Sequence, residues 1–485
     1  MIAFAEAFPL ALVRPEAALC VGLFAILASD LGPGADRRRA GPWLGIAAAL
    51  VAFLLALDAP SGAVGTMLAI DGPARLARLL ILPLVALLLL AGAGERRHGT
   101  DSGAWSTAVV GVGLGALVTA ASANFVSAWL GLEMLALAGY SLVAFRGGDR
   151  RAAEAGMKFV LFGGVVSGVM LFGISHVYGA TGHLDFAGIG QAFANGAPTA
   201  AGVGLLLAGV GVAYKLTLVP VHFYAPDVYQ GSPPLGVAVV STLPKIAAAT
   251  ALVRFLSMAV PAPLVDHATL ASAIAVLAAA SMLFASFTAL VQRDAKRIIA
   301  FSGIGHGAAV VLATACLPAR DAAAAAGFYL LTYVGSNVGA LVCLSVLERA
   351  TGGSGLQALA GSWRRHPVVS GLLCLFLLSL AGVPPLAGFL GKWGVLQQAF
   401  AAGLGSATYA TLATAALLFL LATAVSAWSY LLVVRAVVFA EPATPSAAGG
   451  GTVPFATKLA LAIAAVATVG LGLWLDGLAV LAKAM

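Results

Sequence analysis

Runs of about twenty apolar residues recur from one end of this chain to the other, each closed by a short polar break. The stretch "LARLLILPLVALLLLAGA", residues 76–93, is typical. A helix needs about 20 such residues to cross the ~30 Å hydrocarbon core of a bilayer, so run length alone directs the chain into a membrane. Composition agrees: 9% of residues are charged and 61% hydrophobic, where a soluble domain carries about 25% charged residues. Segments of about ten residues alternating with period 2, the mark of a membrane β-barrel, do not occur. The expected fold is therefore all-α and polytopic.

Counting apolar windows between polar breaks gives about fourteen transmembrane helices. Two windows, 199–231 and 367–402, are longer than a bilayer requires, and proline interrupts both. The segment "EPATPSAAGGGTV", residues 441–453, reads as a loop. Arg37, Arg38, Arg39, Arg96, Arg97, Arg146, Arg150, Arg151, Arg293, Lys296, Arg297, Arg349, Arg364 and Arg365 all fall in breaks on one side of the bundle. Arg75, Arg78 and Arg320 are the contributors opposite. The positive-inside rule then places both termini on the non-cytoplasmic side. The net charge of +7 reflects this bias and gives no reason to expect nucleic acid as a partner. No basic region precedes the first apolar run, so no cleaved signal peptide is expected. The four cysteines are scattered through apolar spans with no C-x-x-C pair, and read as small buried hydrophobes without a metal. Gly111, Gly113 and Gly115 have part of a nucleotide-fingerprint spacing but lie within a span with no strand before them, which excludes that reading.

Against this apolar background, Glu133, Lys215, Lys245, His306 and Lys392 fall near the middle of spans. A lysine or aspartate at a helix centre costs about 2.5–3.5 kcal/mol on insertion, and from there it cannot snorkel to an interface. Such groups must face protein or water, near one another. Lys158 lies closer to its helix start, with Glu154 four residues earlier as an expected ion-pair partner. Static ion pairs that merely hold the bundle together are the alternative to function, most plausibly for His306, which a backbone carbonyl can satisfy, and for His222 beside a helix break. Lysine suits proton transfer because burial disfavours its charged form and an approaching carboxylate restores it. A swing of ~3 pH units in proton affinity is worth about 4 kcal/mol. Carrying a proton against 100 mV costs about 2.3 kcal/mol, within that swing.

Pro220 and Pro226 interrupt one long window; Pro384 and Pro385 interrupt the other. Proline removes a backbone donor and frees carbonyls, which lipid tolerates only where they are buried in protein or line a cavity. Each break carries a lysine within about two helical turns. Paired broken helices in corresponding halves are the signature of inverted repeats. The expected units are 1–104 with helices one to three, 105–262 as a first five-helix repeat, 263–440 as a second, and 441–485 as linker and last helix. An odd number of spans per repeat gives successive repeats opposite topology.

The stretches "WLGLEMLALAGYSLVAF", "EAGMKFVLFG", "AYKLTLVPVHFYAPDVYQGSPP", "LPKIAA", "KRIIAFSGIGH" and "LSLAGVPPLAGFLGKW" together resemble the antiporter-like subunits of respiratory complex I, the NADH–quinone oxidoreductases, nearest the subunit N branch. The resemblance covers most of the chain and is strongest from Ala128 to Phe439. It implies fourteen helices with two inverted five-helix repeats. It also implies a Glu133–Lys215 switch pair, a helix-six lysine at Lys158, a path through Lys245 and His306, and a terminal proton site at Lys392. FMN, iron–sulfur clusters and quinone would belong to partner subunits, with none bound by this chain. The partners it implies are the other membrane-arm subunits, in the bacterial inner membrane. Two departures stand out: Gln230 replaces an expected glutamate after "PDVY", and "SGIGHG" is richer in glycine than the family's usual run. Two other roles fit the same architecture, a subunit of a multisubunit cation/proton antiporter or membrane-bound hydrogenase, and a non-pumping structural anchor.

Overall fold

The structure, a computed structural model, describes residues 9–31, 40–94, 102–145, 149–259, 267–317, 320–403, 408–441 and 452–484. Arg37, Arg38, Arg39, Arg96, Arg97 and Arg146, used above for orientation, lie outside them, as does most of the expected loop 441–453. Three helices come first: α1 (Arg14–Leu31), α2 (Gly41–Leu57) and α3 (Gly72–Ala93). They are followed by α4 (Ser102–Ala121), α5 (Phe125–Val143), α6 (Arg150–Thr181), a short α7 (Phe186–Ala194), α8 (Thr199–Lys215), α9 (Ala225–Gly231) and α10 (Pro234–Ala259). The next group is α11 (His267–Leu290), α12 (Ala295–Thr314), α13 (Arg320–Thr351), α14 (Pro367–Ala381), α15 (Ala387–Gly403) and α16 (Tyr409–Val438). The described chain ends with α17 (Phe455–Leu473) and α18 (Gly477–Ala484).

Ten of these helices are individually long and apolar enough to cross a membrane, and α2, α8 and α14 are shorter apolar helices. Fourteen crossings are therefore not reached by helix length alone. The breaks split two windows into short halves, and α1 carries Arg14, Glu16 and Asp30 in its 18 residues. Three elements were not expected from apolar windows. A hairpin, β1 (Gly62–Val64) with β2 (Leu68–Ile70), folds over the α4–α5 turn, where Met67 O accepts from Ala123 N at 2.9 Å and Ser127 Oγ at 2.7 Å. The helix α7 lies in what reads as a loop, and the last window splits into α17 and α18 around Trp474.

Helix starts are set by side chains that accept the otherwise unpaired first-turn N–H groups. Asp71 accepts from Ala74 N at 3.0 Å, Asn124 from Val126 N at 2.8 Å, and Asp294 from Lys296 N at 2.9 Å. The last two caps belong to equivalent places in a repeat. Phe125 N donates to Leu184 O and Phe186 N to Ala123 O, both at 3.0 Å. Ala295 N to Ser354 O and Leu356 N to Arg293 O, both at 2.9 Å, repeat that pattern at one constant offset along the chain. The long helices inside the two brackets, α6 and α13, each have 32 residues. Two stretches of the chain thus share backbone detail, and each is followed by a broken helix.

Burial sorts the helices. The most apolar windows of α12, α10 and α13 are 89%, 83% and 83% buried, whereas that of α16 is 28% buried. The three shielded helices form the axis of the bundle, and they carry Lys245, His306 and a row of tyrosines. Some charges that read as flanking residues are instead internal ties. Arg78, 1% exposed, donates to Glu16 at 2.8 Å and to Leu12 O at 2.7 Å. Arg254 reaches Asp71 at 3.0 Å and Ser122 O at 3.0 Å, clamping the α4–α5 turn to α10. Lys296, 3% exposed, pairs with Glu348 at 3.1 Å and donates to Ser232 O at 3.0 Å.

Candidate functional site

The two breaks have the same backbone design. Helix α8 stops where Thr217 N donates to Tyr214 O at 3.0 Å and Leu218 N to Ala213 O at 2.9 Å, with Thr217 left-handed at φ 58°. Helix α14 stops the same way, with Gly382 N to Ser379 O at 2.9 Å, Val383 N to Leu378 O at 3.1 Å, and Gly382 at φ 90°. This paired closure of a helix end favours glycine at the left-handed position. Three residues beyond each left-handed residue lies a cis X–Pro peptide, Val219–Pro220 or Pro384–Pro385. The chain resumes as α9 with Pro226 in its first turn, and as α15 after Pro385.

Such a stop leaves the last two helix carbonyls without backbone donors. At the second break these belong to Leu380 and Ala381, and prolines at 384 and 385 have no N–H to offer them. Lys392, one and a half turns into α15, donates to both carbonyls at 2.9 Å. The broken helix therefore makes a cation seat from its own backbone, and Lys392 is 7% exposed. At the first break the carbonyl of Leu216 is pressed against α12, where a Cβ on Gly307 would lie 2.2 Å from it. Only glycine permits that approach. Lys215 itself makes no hydrogen bond or ion pair among the described residues; its Nζ lies 5.3 Å from the Tyr214 ring centroid. Around it, Tyr214 and Tyr224 stack at 4.2 Å, Phe159 and Tyr224 at 5.4 Å, and Tyr224 Oη donates to Tyr214 O at 3.0 Å.

The expected Glu133–Lys215 pair is not in contact. Glu133 is half-buried on α5 and joined to Lys215 by no hydrogen bond or ion pair among the described residues. Lys158 does form the expected i,i+4 pair with Glu154 at 2.8 Å, yet it also holds Asp227 Oδ2 of α9 at 3.1 Å. Asp227 Oδ1 accepts from Arg297 of α12 at 2.7 Å, and Arg297 also donates to Gln230 at 3.2 Å. This group is partly exposed and links the first broken helix to the second repeat. His222 packs edge-on against Phe284, with ring centroids 4.5 Å apart.

Lys245 and His306 are brought onto the axis, 2% and 7% exposed. His306 Nδ1 lies 2.7 Å from Tyr329 Oη, and Nε2 lies 3.4 Å from Tyr430 Oη, which is 2.5 Å from Ser302 Oγ. His306, Lys392, Tyr430 and Ser302 line one narrow crevice between α11, α12, α13, α15 and α16. The arrangement from Lys245 through His306 to Lys392 is a file of titratable groups flanked by hydroxyls, suited to passing protons and unsuited to binding a large solute. Sequence reasoning passed over Asp227, Tyr329, Tyr333, Asn337 and Tyr430. The only signal for Asp227 was an acid in the first turn of the resumed helix; the α13 residues are polar positions in an apolar run.

Comparison with known proteins bears on this geometry. Residues 122–419 match the family model described as NADH:quinone oxidoreductase/Mrp antiporter, transmembrane. The chain belongs to this family. NADH-quinone oxidoreductase subunit N 2 of Acidobacterium capsulatum is 34% identical over 486 residues, covering 96% of each chain. A chain in the structure of respiratory complex I from Thermus thermophilus with bound aureothin superposes with a TM-score of 0.75 at 30% identity, covering 95% of this chain and 97% of its own. A chain of the Mrp complex from Dietzia sp. superposes with a TM-score of 0.80 at 19% identity over 98% and 96% of the two chains, which shows a shared fold.

Proposed function

We propose that the chain is the proton-translocating subunit N of a bacterial NADH–quinone oxidoreductase, working in the membrane arm beside other antiporter-like and small subunits. NADH oxidation and quinone reduction take place in partners that hold FMN, iron–sulfur clusters and quinone; this chain supplies a proton path and no redox centre. The observation that carries the reading is the buried file Lys245, His306 and Lys392 linking two broken helices inside an otherwise apolar bundle. In this reading Glu133 and Lys215 form the switch, Lys158 tunes the first half through Asp227, Lys245 and His306 connect the halves, and Lys392 is the terminal site. Pro220, His222, Pro226, Pro384 and Pro385 set the breaks and the access of water to them. Because Glu133 and Lys215 stand apart here, the switch works by closing that gap. A bonded pair holds the lysine charged, and the separated pair releases its proton.

The four units 1–104, 105–262, 263–440 and 441–485 follow from the same reading. So do the inner-membrane location and both termini outside the cytoplasm. The fold is shared with an Mrp complex chain, so the choice of complex I over a cation/proton antiporter rests on sequence identity over almost the whole chain. Purification in mild detergent tests it. Inhibitor-sensitive NADH-to-quinone electron transfer in a large co-purifying assembly is the expected result. A small assembly without flavin or iron that exchanges sodium for protons would establish the antiporter alternative. Normal pumping by an assembled Lys215→Ala complex would leave only the structural anchor.

A further inference from the structure

Many hydroxyls inside this bundle bond to a carbonyl of their own helix: Ser286 to Met282 O at 2.8 Å, Thr250 to Ile246 O at 2.9 Å, Thr468 to Ala464 O at 2.8 Å. Serine and threonine in a helix interior take that partner by default. Ser379, near the end of α14, is used differently. Its Oγ accepts from Gly388 N at 3.2 Å, nine residues further on and across the break, and from Ser336 Oγ of α13 at 2.8 Å. Ser336 Oγ lies in turn 3.4 Å from Thr468 Oγ1 of α17. All three side chains are 0% exposed, so bulk solvent does not compete for these bonds.

The Gly388 N–H is one of the first-turn donors that a helix start leaves without an intrahelical acceptor. Ser379 therefore caps α15 from the broken end of α14, a task that usually falls to the residue just before a helix. The two halves meet closely: a Cβ on Gly388 would overlap the Ser379 carbonyl. The last long helix closes in from the other side, where a Cβ on Gly472 of α17 would overlap the Pro385 carbonyl. Only a missing side chain allows either approach.

Lys392 follows Gly388 by four residues, so the two share one face of α15. Helical side chains lean toward the N-terminus of their own helix, which carries the Lys392 ammonium back to the broken end of α14. There it meets the carbonyls of Leu380 and Ala381, the two residues directly after Ser379. Three consecutive residues of α14 thus hold one face of α15, a hydroxyl on its backbone and two carbonyls on its cation. We propose that Ser379 is a positioning residue for Lys392: its hydroxyl fixes the register of α15 on α14, and that register places the ammonium between the two carbonyls. Ser336 steadies the hydroxyl, and α17 backs it through Thr468 and Gly472. The proposal rests on the reading of Lys392 as a proton-bearing site. Register matters at this scale, because a slip of about 0.7 Å along the bond, half the rise per residue, takes a 2.9 Å contact out of hydrogen-bond range.

The test uses the assembled complex in liposomes, energised with NADH and quinone, with pumped protons expressed per assembled complex. Lys392→Ala sets the full loss. Ser379→Ala is expected to lose at least about half as much, Ser379→Thr, which keeps the hydroxyl, to recover most of that deficit, and Ser336→Ala to fall between wild type and Ser379→Ala. Wild-type pumping by Ser379→Ala beside a defective Lys392→Ala would overturn the positioning role and leave the proton site standing. Equal losses in Ser379→Ala and Ser379→Thr would also overturn it, since the hydroxyl would then not be the cause. Wild-type pumping by Lys392→Ala would sink the proton site and its positioning residue together. Independently of activity, a high-resolution map of the assembled Ser379→Ala complex should show Lys392 Nζ beyond about 3.5 Å from at least one of the two carbonyls. A map with Lys392 unmoved overturns the proposal, whatever the pumping. If Ser379→Ala does not assemble, Ser336→Ala carries the same comparison, and an unmoved Lys392 with wild-type pumping in that variant overturns the proposal as well.

Discussion

The two broken helices stop by the same pair of backbone hydrogen bonds and turn at the same cis-proline position, yet they treat their lysines in opposite ways. Lys392 sits in the carbonyls that its own break sets free, so its charge is solvated by backbone. Lys215 ends the helix before its break and, among the described residues, makes no hydrogen bond or ion pair, its Nζ lying 5.3 Å from the Tyr214 ring centroid. A repeated backbone thus provides one anchored cation and one loosely held cation. The first is built to keep its position while its protonation changes; the second responds to whatever approaches it. Duplicating a fold did not duplicate a site.

Substitutions can break or sharpen that contrast. Lys392→Ala should have the largest effect, removing two charge-assisted hydrogen bonds and leaving two buried carbonyls unpaired. The expected loss is roughly 2–4 kcal/mol of stability, read as a lower melting temperature of the purified subunit or complex, together with defective pumping. Lys215→Ala should impair pumping comparably while the melting temperature barely moves, because no hydrogen bond is removed. A melt lowered as much as by Lys392→Ala would erase the distinction. Gly382→Ala comes next, with about 1–2 kcal/mol lost to the left-handed backbone and a Cβ placed 3.0 Å from Lys392 Cδ. The reciprocal Thr217→Gly should stabilise by up to about 1 kcal/mol, since a β-branched residue there is strained and glycine is not, less the entropy glycine adds to the unfolded chain. An unchanged or lower melting temperature would mean that the Thr217 hydroxyl, 2.6 Å from Leu216 O, matters more than its backbone.

Much of the architecture was legible in the sequence because membrane helices are governed by run length, and prolines within such runs announce breaks. The file Lys245, His306 and Lys392 was legible for the same reason: a charge in lipid-length apolar sequence has to face protein. The partners were not. Lys158 meets Asp227 of a helix whose position depends on the break, and Arg78 meets Glu16 across two intervening elements. Only the backbone path decides those encounters. The seat of Lys392 could have been inferred, since prolines 384 and 385 leave the carbonyls four residues earlier without donors, but the direction of the resumed helix had to be seen. The hairpin at 62–70 has too few residues for a periodic signal.

Asp227 has two carboxylate oxygens and each is held by a cation from a different repeat, Lys158 on one and Arg297 on the other. An asparagine there would have one acceptor oxygen and would point its amide hydrogens at the remaining cation. The three positions therefore cannot drift independently. Across related sequences, a change at 227 should be found only with compensating changes at both 158 and 297, and lineages in which one half of the molecule has been remodelled should carry the mark of it in the other.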